Sequence, residues 1–179
     1  LNFNMDFYKK VTLGTAQIGL DYGINNSQGK KSKVQNLEIL KTAYEKGVRN
    51  LDTAEVYGNS HNIIGDFHNK YSDYLFNVNT KISNLKNLPL KDLVNNYLDT
   101  MNIKFLDCLM FHNYNIYEKY SNKIPQLIDL KKKGLINNIG VSVYSNSEIV
   151  NVSNDTLIDV IQIPFNLLDN YSVKGKYIK

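Results

Sequence analysis

At 179 residues with 42% hydrophobic content, the chain is long enough to bury one proper core, and it is read as a single domain over 1–179. Twenty-one lysines and arginines against 17 acidic residues leave a net charge of +4 that is scattered rather than clustered, which argues against a nucleic-acid or membrane role and stays compatible with an anionic small ligand. The single cysteine, Cys108, excludes an internal disulfide, no apolar run approaches the ~20 residues of a membrane span, and the first residues lack a secretory core, so a reducing, cytoplasmic setting is expected.

In chain order, a β-branched and apolar run at 11–15 precedes a glycine-bearing loop and a helix at 34–47 that stops at Gly47. A strand at 48–53 leads to a helix at 60–69, one at 74–81 to a helix at 90–101, and one at 105–112 to a helix at 124–134. A strand at 137–143, a helix at 146–152 and a strand at 160–165 complete the series. Lys131, Lys132 and Lys133 before Gly134 put cations at the negative end of a helix dipole, so they read as a helix terminus rather than a binding patch. Pro125 falls in the first turn of its helix, where a missing N–H has no cost.

Repeated βα units of this size imply a parallel sheet with helices outside it, either closed into a barrel or open and doubly wound. Gly14 and Gly19 follow the first strand, but neither GxGxxG nor a GK[ST] ending does, so the open dinucleotide-binding fold loses support. Alternation agrees. Phe76, Val78 and Ile82 share one face of the third strand and Asn77, Asn79 and Lys81 the other; Ile161, Ile163 and Phe165 oppose Gln162 and Asn166 in the sixth. One face thus suits a helix layer, and the other gathers polar groups towards strand C-termini, where barrel sites are built. The expectation is an α/β fold, a parallel (β/α)8 TIM barrel truncated to about six βα units, since a whole barrel takes ~250 residues. Together with an opening on Leu1 and an abrupt end at Lys179, this leaves open whether the sequence is a fragment of a longer protein.

Asp52 and Tyr57 lie at the end of the second strand, Lys81 at the end of the third and His112 at the end of the fourth. An acid, a phenol, an ammonium and an imidazole so placed can deliver a proton to a carbonyl oxygen. A phenol with an ordinary pKa near ~10 is a reluctant acid, and an ammonium beside it stabilises the phenolate it becomes. Each residue alone has a structural explanation; the four in order carry the inference. His61 and His68, seven apart on one helix, lack HExxH spacing and a third ligand, so they read as surface histidines and no metal site is expected. Cys108 and Met110 read as core, and Tyr114, Tyr117 and Tyr120 as a packed or half-exposed helical stripe.

The runs Leu13-Gly14-Thr15-Ala16-Gln17, Leu51-Asp52-Thr53-Ala54-Glu55-Val56-Tyr57-Gly58, Thr80-Lys81, Phe111-His112-Asn113 and Gly140-Val141-Ser142 resemble, in order, the motifs of the aldo-keto reductases. The opening over 14–24 is similar to a bacterial branch linked to surface-sugar metabolism. The resemblance implies an oxidoreductase that reduces an aldehyde or ketone, in a sugar-like small molecule, with hydride from NADPH or, alternatively, NADH. It gives the catalytic roles to Asp52, Tyr57, Lys81 and His112, and cofactor binding to Gly14, Thr15, Ala16, Asp52, Ser142 and Gln162. Val143 stands where many members have asparagine, and the residues that in the family hold the adenosine phosphate and stack on the nicotinamide fall beyond this sequence. Two other readings follow from the same resemblance: a non-catalytic binding or regulatory subunit, or an inactive fragment. A sheet left open at both edges also predicts self-association.

Overall fold

The computed structural model describes residues 5–23, 26, 29–85, 88–170 and 174. The elements run α1 (Met5–Tyr8), β1 (Thr12–Gly14), α2 (Ala16–Gly19), α3 (Lys33–Glu45), β2 (Asn50–Asp52), α4 (Ser60–Lys70), β3 (Asn77–Ile82) and α5 (Leu90–Met101). They continue with β4 (Leu106–Phe111), α6 (Tyr114–Tyr120), a 3₁₀ turn at Ser121–Lys123, α7 (Ile124–Lys132), β5 (Ile136–Ser142), α8 (Asn146–Ser153) and β6 (Val160–Gln162). The six strands form one parallel sheet in chain order, each pairing with its neighbours in sequence.

This sheet is strongly curved. β2 and β6 are four strand spacings apart, about 19 Å if the sheet were flat. The Gln162 side-chain amide nevertheless donates to Asp52 Oδ1 at 3.1 Å, so the strands curl into a half-barrel with both side chains inside it. The register fixes the two faces. Asp52, Asn79 and Cys108 lie level on the inner face, as do Lys81, Met110 and Gly140, and Ser142 with Gln162. A Cβ on Gly140 would stand 2.8 Å from Met110 Cγ and 3.0 Å from Cys108 Sγ, so that position is filled by its neighbours. The outer face, with Leu51, Val78, Ile82, Leu109, Phe111, Ile139 and Val141 all at or below 1% exposure, makes the core against the helices.

Helix ends follow their sequence signals. Ser32 and Ser145 each form a capping box, with Gln35 and Glu148, and Asn113 caps α6 by accepting from the Ile116 N–H. α5 buries Leu90, Leu93, Val94, Tyr97, Leu98 and Met101, the stripe expected of a helix lying on a sheet, and ends at Asn102 in the left-handed region (φ 50°).

Several expectations require correction. Three strands are shorter than predicted, at three residues each for β1, β2 and β6. Pro164 follows β6 without an N–H to extend the ladder, and Phe165 is 57% exposed rather than packed under the helix layer. The third strand begins at Asn77, although Phe76 before it is buried. Between β4 and α7 the tyrosine stripe is helical and half-buried through Tyr114, Tyr117 and Tyr120, as its spacing indicated, and forms α6. Ile24, part of the sugar-branch motif, lies outside the described residues. No helix among the described residues is long and apolar enough to cross a membrane.

Candidate active site

At the C-terminal rim of the half-barrel, β2 delivers Asp52 and β3 delivers Lys81 to the inner face one step further along. The ammonium donates to both Asp52 oxygens at 2.6 Å and lies 3.4 Å from the Thr53 carbonyl oxygen. Lys81 is 3% exposed, and a buried ammonium persists only with such compensation. Asp52 accepts a third bond from Gln162, so the carboxylate joins the second, third and sixth strands.

Tyr57 stands above this pair on the turn after β2, its ring centroid 5.7 Å from Lys81 Nζ and 6.1 Å from the His112 ring, which it meets edge-on at 82°. Burial, then Asp52 and then the phenols of Tyr144 and Tyr22 hold the Tyr57 hydroxyl above its usual pKa. This differs from the expectation of an ammonium favouring the phenolate. Asp52 engages Lys81 with both oxygens, so the pair presents little net positive charge to the phenol above it. His112 continues β4, its N–H bonded to the Ile82 carbonyl at 3.0 Å. Burial, and next Lys81, push its imidazole below 6.5, so it is neutral at pH 7. Its Nδ1 is buried without a hydrogen-bond partner, as is Asn79 Oδ1.

The Tyr57 turn rests on a frame the sequence did not reveal. Thr15 Oγ1 donates to the Asp52 carbonyl at 3.1 Å, Ser60 Oγ donates to Thr15 Oγ1 at 2.8 Å, and Thr53 Oγ1 completes the chain with Ser60 Oγ at 3.0 Å. All three hydroxyls belong to residues with 0% exposure. α2 closes against the turn where Gly19 meets Tyr57 and Gly58. A Cβ on Gly19 would stand 1.7 Å from the Tyr57 carbonyl oxygen, and Gly58 has φ +55°. Thr53 and Ser60 flank the motif tyrosine, and the spacing Thr-x6-Ser was the available but uninformative signal.

The residues implied for cofactor binding fall in two groups. Gly14 is level with Asp52 at the rim, and a Cβ there would meet nothing within 4 Å, so the inner face is open beside the carboxylate. Ser142 and Gln162 lie side by side at the ends of β5 and β6. Ala16 opens α2 next to Gly14, whereas the Thr15 hydroxyl is turned inward onto Asp52 and Ser60 and away from that space.

Of the two remaining histidines, expected at the surface, His68 is enclosed and His61 is half-buried. His68 is 1% exposed, its Nδ1 2.8 Å from the Met101 carbonyl while its Nε2 accepts from the Phe76 N–H at 3.2 Å. His61 Nε2 meets Thr80 Oγ1 at 2.9 Å. Among the described residues, no cluster of three or more His, Cys, Asp or Glu side chains is arranged to hold a metal ion. Cys108 is buried and its thiol is pushed up to about 12, chiefly by desolvation, which fits packing and not nucleophilic chemistry.

Parallel βα units curled into a half-barrel, with ionisable side chains collected at the strand C-termini, define a member of the barrel enzymes' architecture. The chain belongs to the aldo/keto reductase family, whose model matches residues 10–176. It is 25% identical over 177 residues to the uncharacterized oxidoreductase YqkF of Bacillus subtilis, covering 90% of this chain and 57% of that protein. Among solved structures it is similar to the aldo-keto reductase AKR11C1 of Bacillus halodurans in its holo form, with TM-score 0.70 and 16% identity over 94% of this chain and 59% of that one. It is also similar to the glycerol dehydrogenase AKR11B4 of Gluconobacter oxydans, with TM-score 0.68 and 21% identity over 93% and 56% of the two chains. The chain therefore spans little more than half the length of these relatives.

Proposed function

We propose that this chain carries the catalytic rim of an NADPH-dependent carbonyl reductase in which Tyr57 is the general acid. The observation that supports it most is the buried Lys81–Asp52 ion pair directly beneath a phenol and a neutral imidazole. The donor set also suits a nicotinamide ring. Gly14 leaves open space beside Asp52, and Ser142 and Gln162 are level with each other across β5 and β6. Since the Gln162 amide N–H is engaged by Asp52, its carbonyl oxygen is the group to receive a carboxamide N–H, with the Ser142 hydroxyl beside it. When bound, NADPH supplies the hydride that makes the carbonyl carbon tetrahedral.

This chain's own residues then handle the proton. His112 is neutral and hydrogen-bonds the substrate carbonyl, orienting it towards Tyr57. As negative charge develops on the carbonyl oxygen, the Tyr57 hydroxyl gives up its proton to it, and the phenolate that remains faces the Lys81 ammonium. Asp52 holds that ammonium in place and balances its charge before the reaction. The resting phenol, held above its ordinary pKa mainly by burial, carries its proton when substrate arrives. A small polyhydroxylated aldehyde or ketone is the substrate class favoured by the opening motif and by the likeness to a glycerol dehydrogenase.

A fluorescence titration of the chain with NADPH, followed by turnover assays on a panel of aldoses and ketoses, tests the reading. Saturable quenching with substrate-dependent loss of NADPH supports it. Saturable binding without turnover of any carbonyl would favour a binding subunit, and no binding at all would remove the reductase reading for this chain.

A further inference from the structure

We infer that Glu55 is a positioning residue for Tyr57, a carboxylate clasp that fixes the general-acid turn to the exit of the lysine-bearing strand. The parallel ladder between β2 and β3 runs on past Asp52, through Thr53 N–H to the Asn79 carbonyl at 2.9 Å and Glu55 N–H to the Lys81 carbonyl at 3.3 Å. There the backbone pairing stops, two residues short of Tyr57. The Glu55 side chain takes over. Its Oε1 accepts the N–H groups of Ser83 and Asn84, both at 2.9 Å, and its Oε2 accepts the hydroxyl of Tyr97 on α5. Among the described residues three neutral donors converge on this carboxylate, an arrangement that holds an anion firmly.

The grip extends to the third member of the site. Ser83 follows Ile82, whose carbonyl holds the His112 N–H, and Asn84 Oδ1 accepts from the Tyr120 hydroxyl on α6, the helix that leaves His112. Tyr97 is 4% exposed and anchored in the core, so the clasp is tied to the rigid helix layer and not to another loop. By contrast Val56, between the clasp and the phenol, is 49% exposed. Removing the carboxylate therefore takes away one of two supports of the turn, the Thr15–Ser60–Thr53 chain being the other, and loosens the placement that sets the 5.7 Å and 6.1 Å separations from Lys81 and His112.

The inference rests on the reductase reading for its meaning, and the test separates the two. Wild type, Glu55→Ala, Glu55→Gln and Tyr97→Phe are compared by kcat and KM and, independently of turnover, by the pH titration of the Tyr57 phenol in protein labelled with 13C-tyrosine, assigned with Tyr57→Phe. Glu55→Ala is expected to lose on the order of 100-fold in kcat with KM for NADPH within about twofold, the cost of a misplaced acid. Its Tyr57 titration should move down towards the ordinary phenol value as the turn opens to water. Glu55→Gln keeps an oxygen for Ser83 and Asn84 and should recover most of both. An unmoved Tyr57 titration in Glu55→Ala would overturn the inference, as would a fall in kcat, KM and melting temperature together that Gln does not rescue. If wild type turns over no carbonyl while the titration still responds to Glu55→Ala and is restored by Gln, the positioning role stands and the reductase reading falls.

Discussion

The two rims of this half-barrel handle buried polar groups in opposite ways. At the N-terminal rim, His68 is enclosed and both ring nitrogens are used, one on the Met101 carbonyl and one on the Phe76 N–H. At the C-terminal rim, a lysine and an aspartate are drawn out of water together, while His112 Nδ1 and Asn79 Oδ1 are left without partners. Buried polar groups in folded proteins are nearly always satisfied, so the unsatisfied ones mark where something other than stability has set the arrangement. One rim is built to close the fold; the other holds groups in reserve.

Substitutions at each rim should therefore separate cleanly. The largest effect is expected from Tyr57→Phe, which removes the proposed proton donor and should lower kcat by roughly 10²- to 10⁴-fold while leaving the urea midpoint unchanged; a variant that kept its turnover would remove Tyr57 as the acid. His68→Leu should do the reverse. It leaves the Phe76 N–H and the Met101 carbonyl unpaired in the core, a cost of about 3 kcal/mol in urea unfolding, with NADPH affinity unaltered. A loss of cofactor binding there would show that the rims are coupled.

The pH dependence sharpens the contrast further. His61, His68 and His112 are all held below the ordinary 6.5, His61 down to about 4, each mainly by burial. Between 6.5 and that lower limit the unfolded chain binds protons that the folded one refuses. Stability is thus complete above pH 6.5 and lost as pH falls through this window, by about 2 kcal/mol for His61 after allowing for its partial exposure. Thermal melts from pH 7 to pH 4 check this, and His61→Gln should flatten part of the slope. Least affected should be Lys133→Ala, which removes an exposed pair with Asp129 four residues earlier; a change in urea unfolding above ~0.5 kcal/mol would be unexpected for such a surface pair.

The helix most clearly legible from sequence was α5, predicted over 90–101 and found there, because an uninterrupted apolar stripe leaves one solution for its phase. β3, β4 and β5, at six or seven residues each, were likewise readable, since their alternation runs long enough to show. β1 and β6 are the outermost strands, and their short pairing depends on one neighbour each, which no local pattern encodes. α6 was legible only as a stripe of three tyrosines at helical spacing, without bounds, because its apolar face is only half-buried. The four candidate catalytic residues were named from strand ends and family motifs, and the structure brings them within one rim. What the sequence could not show was their support. The partners of His61 and His68, the Thr15–Ser60–Thr53 chain and the Glu55 clasp each join segments distant in sequence. Nor could it show that Asp52 would offset the lysine's influence on the phenol.

Because every strand pairs with its predecessor in the chain, the sheet grows by addition at one edge, and most of the rim is in place once β1 to β4 have met. The bond from Gln162 to Asp52 is different, since it spans 110 positions and requires the intervening strands to have curled first. Its closure carries the largest chain-entropy cost of the contacts at this rim and rewards none of the earlier steps. During synthesis the acid and lysine would meet while the ribosome is still supplying the later strands, and the tie from β6 would form after them.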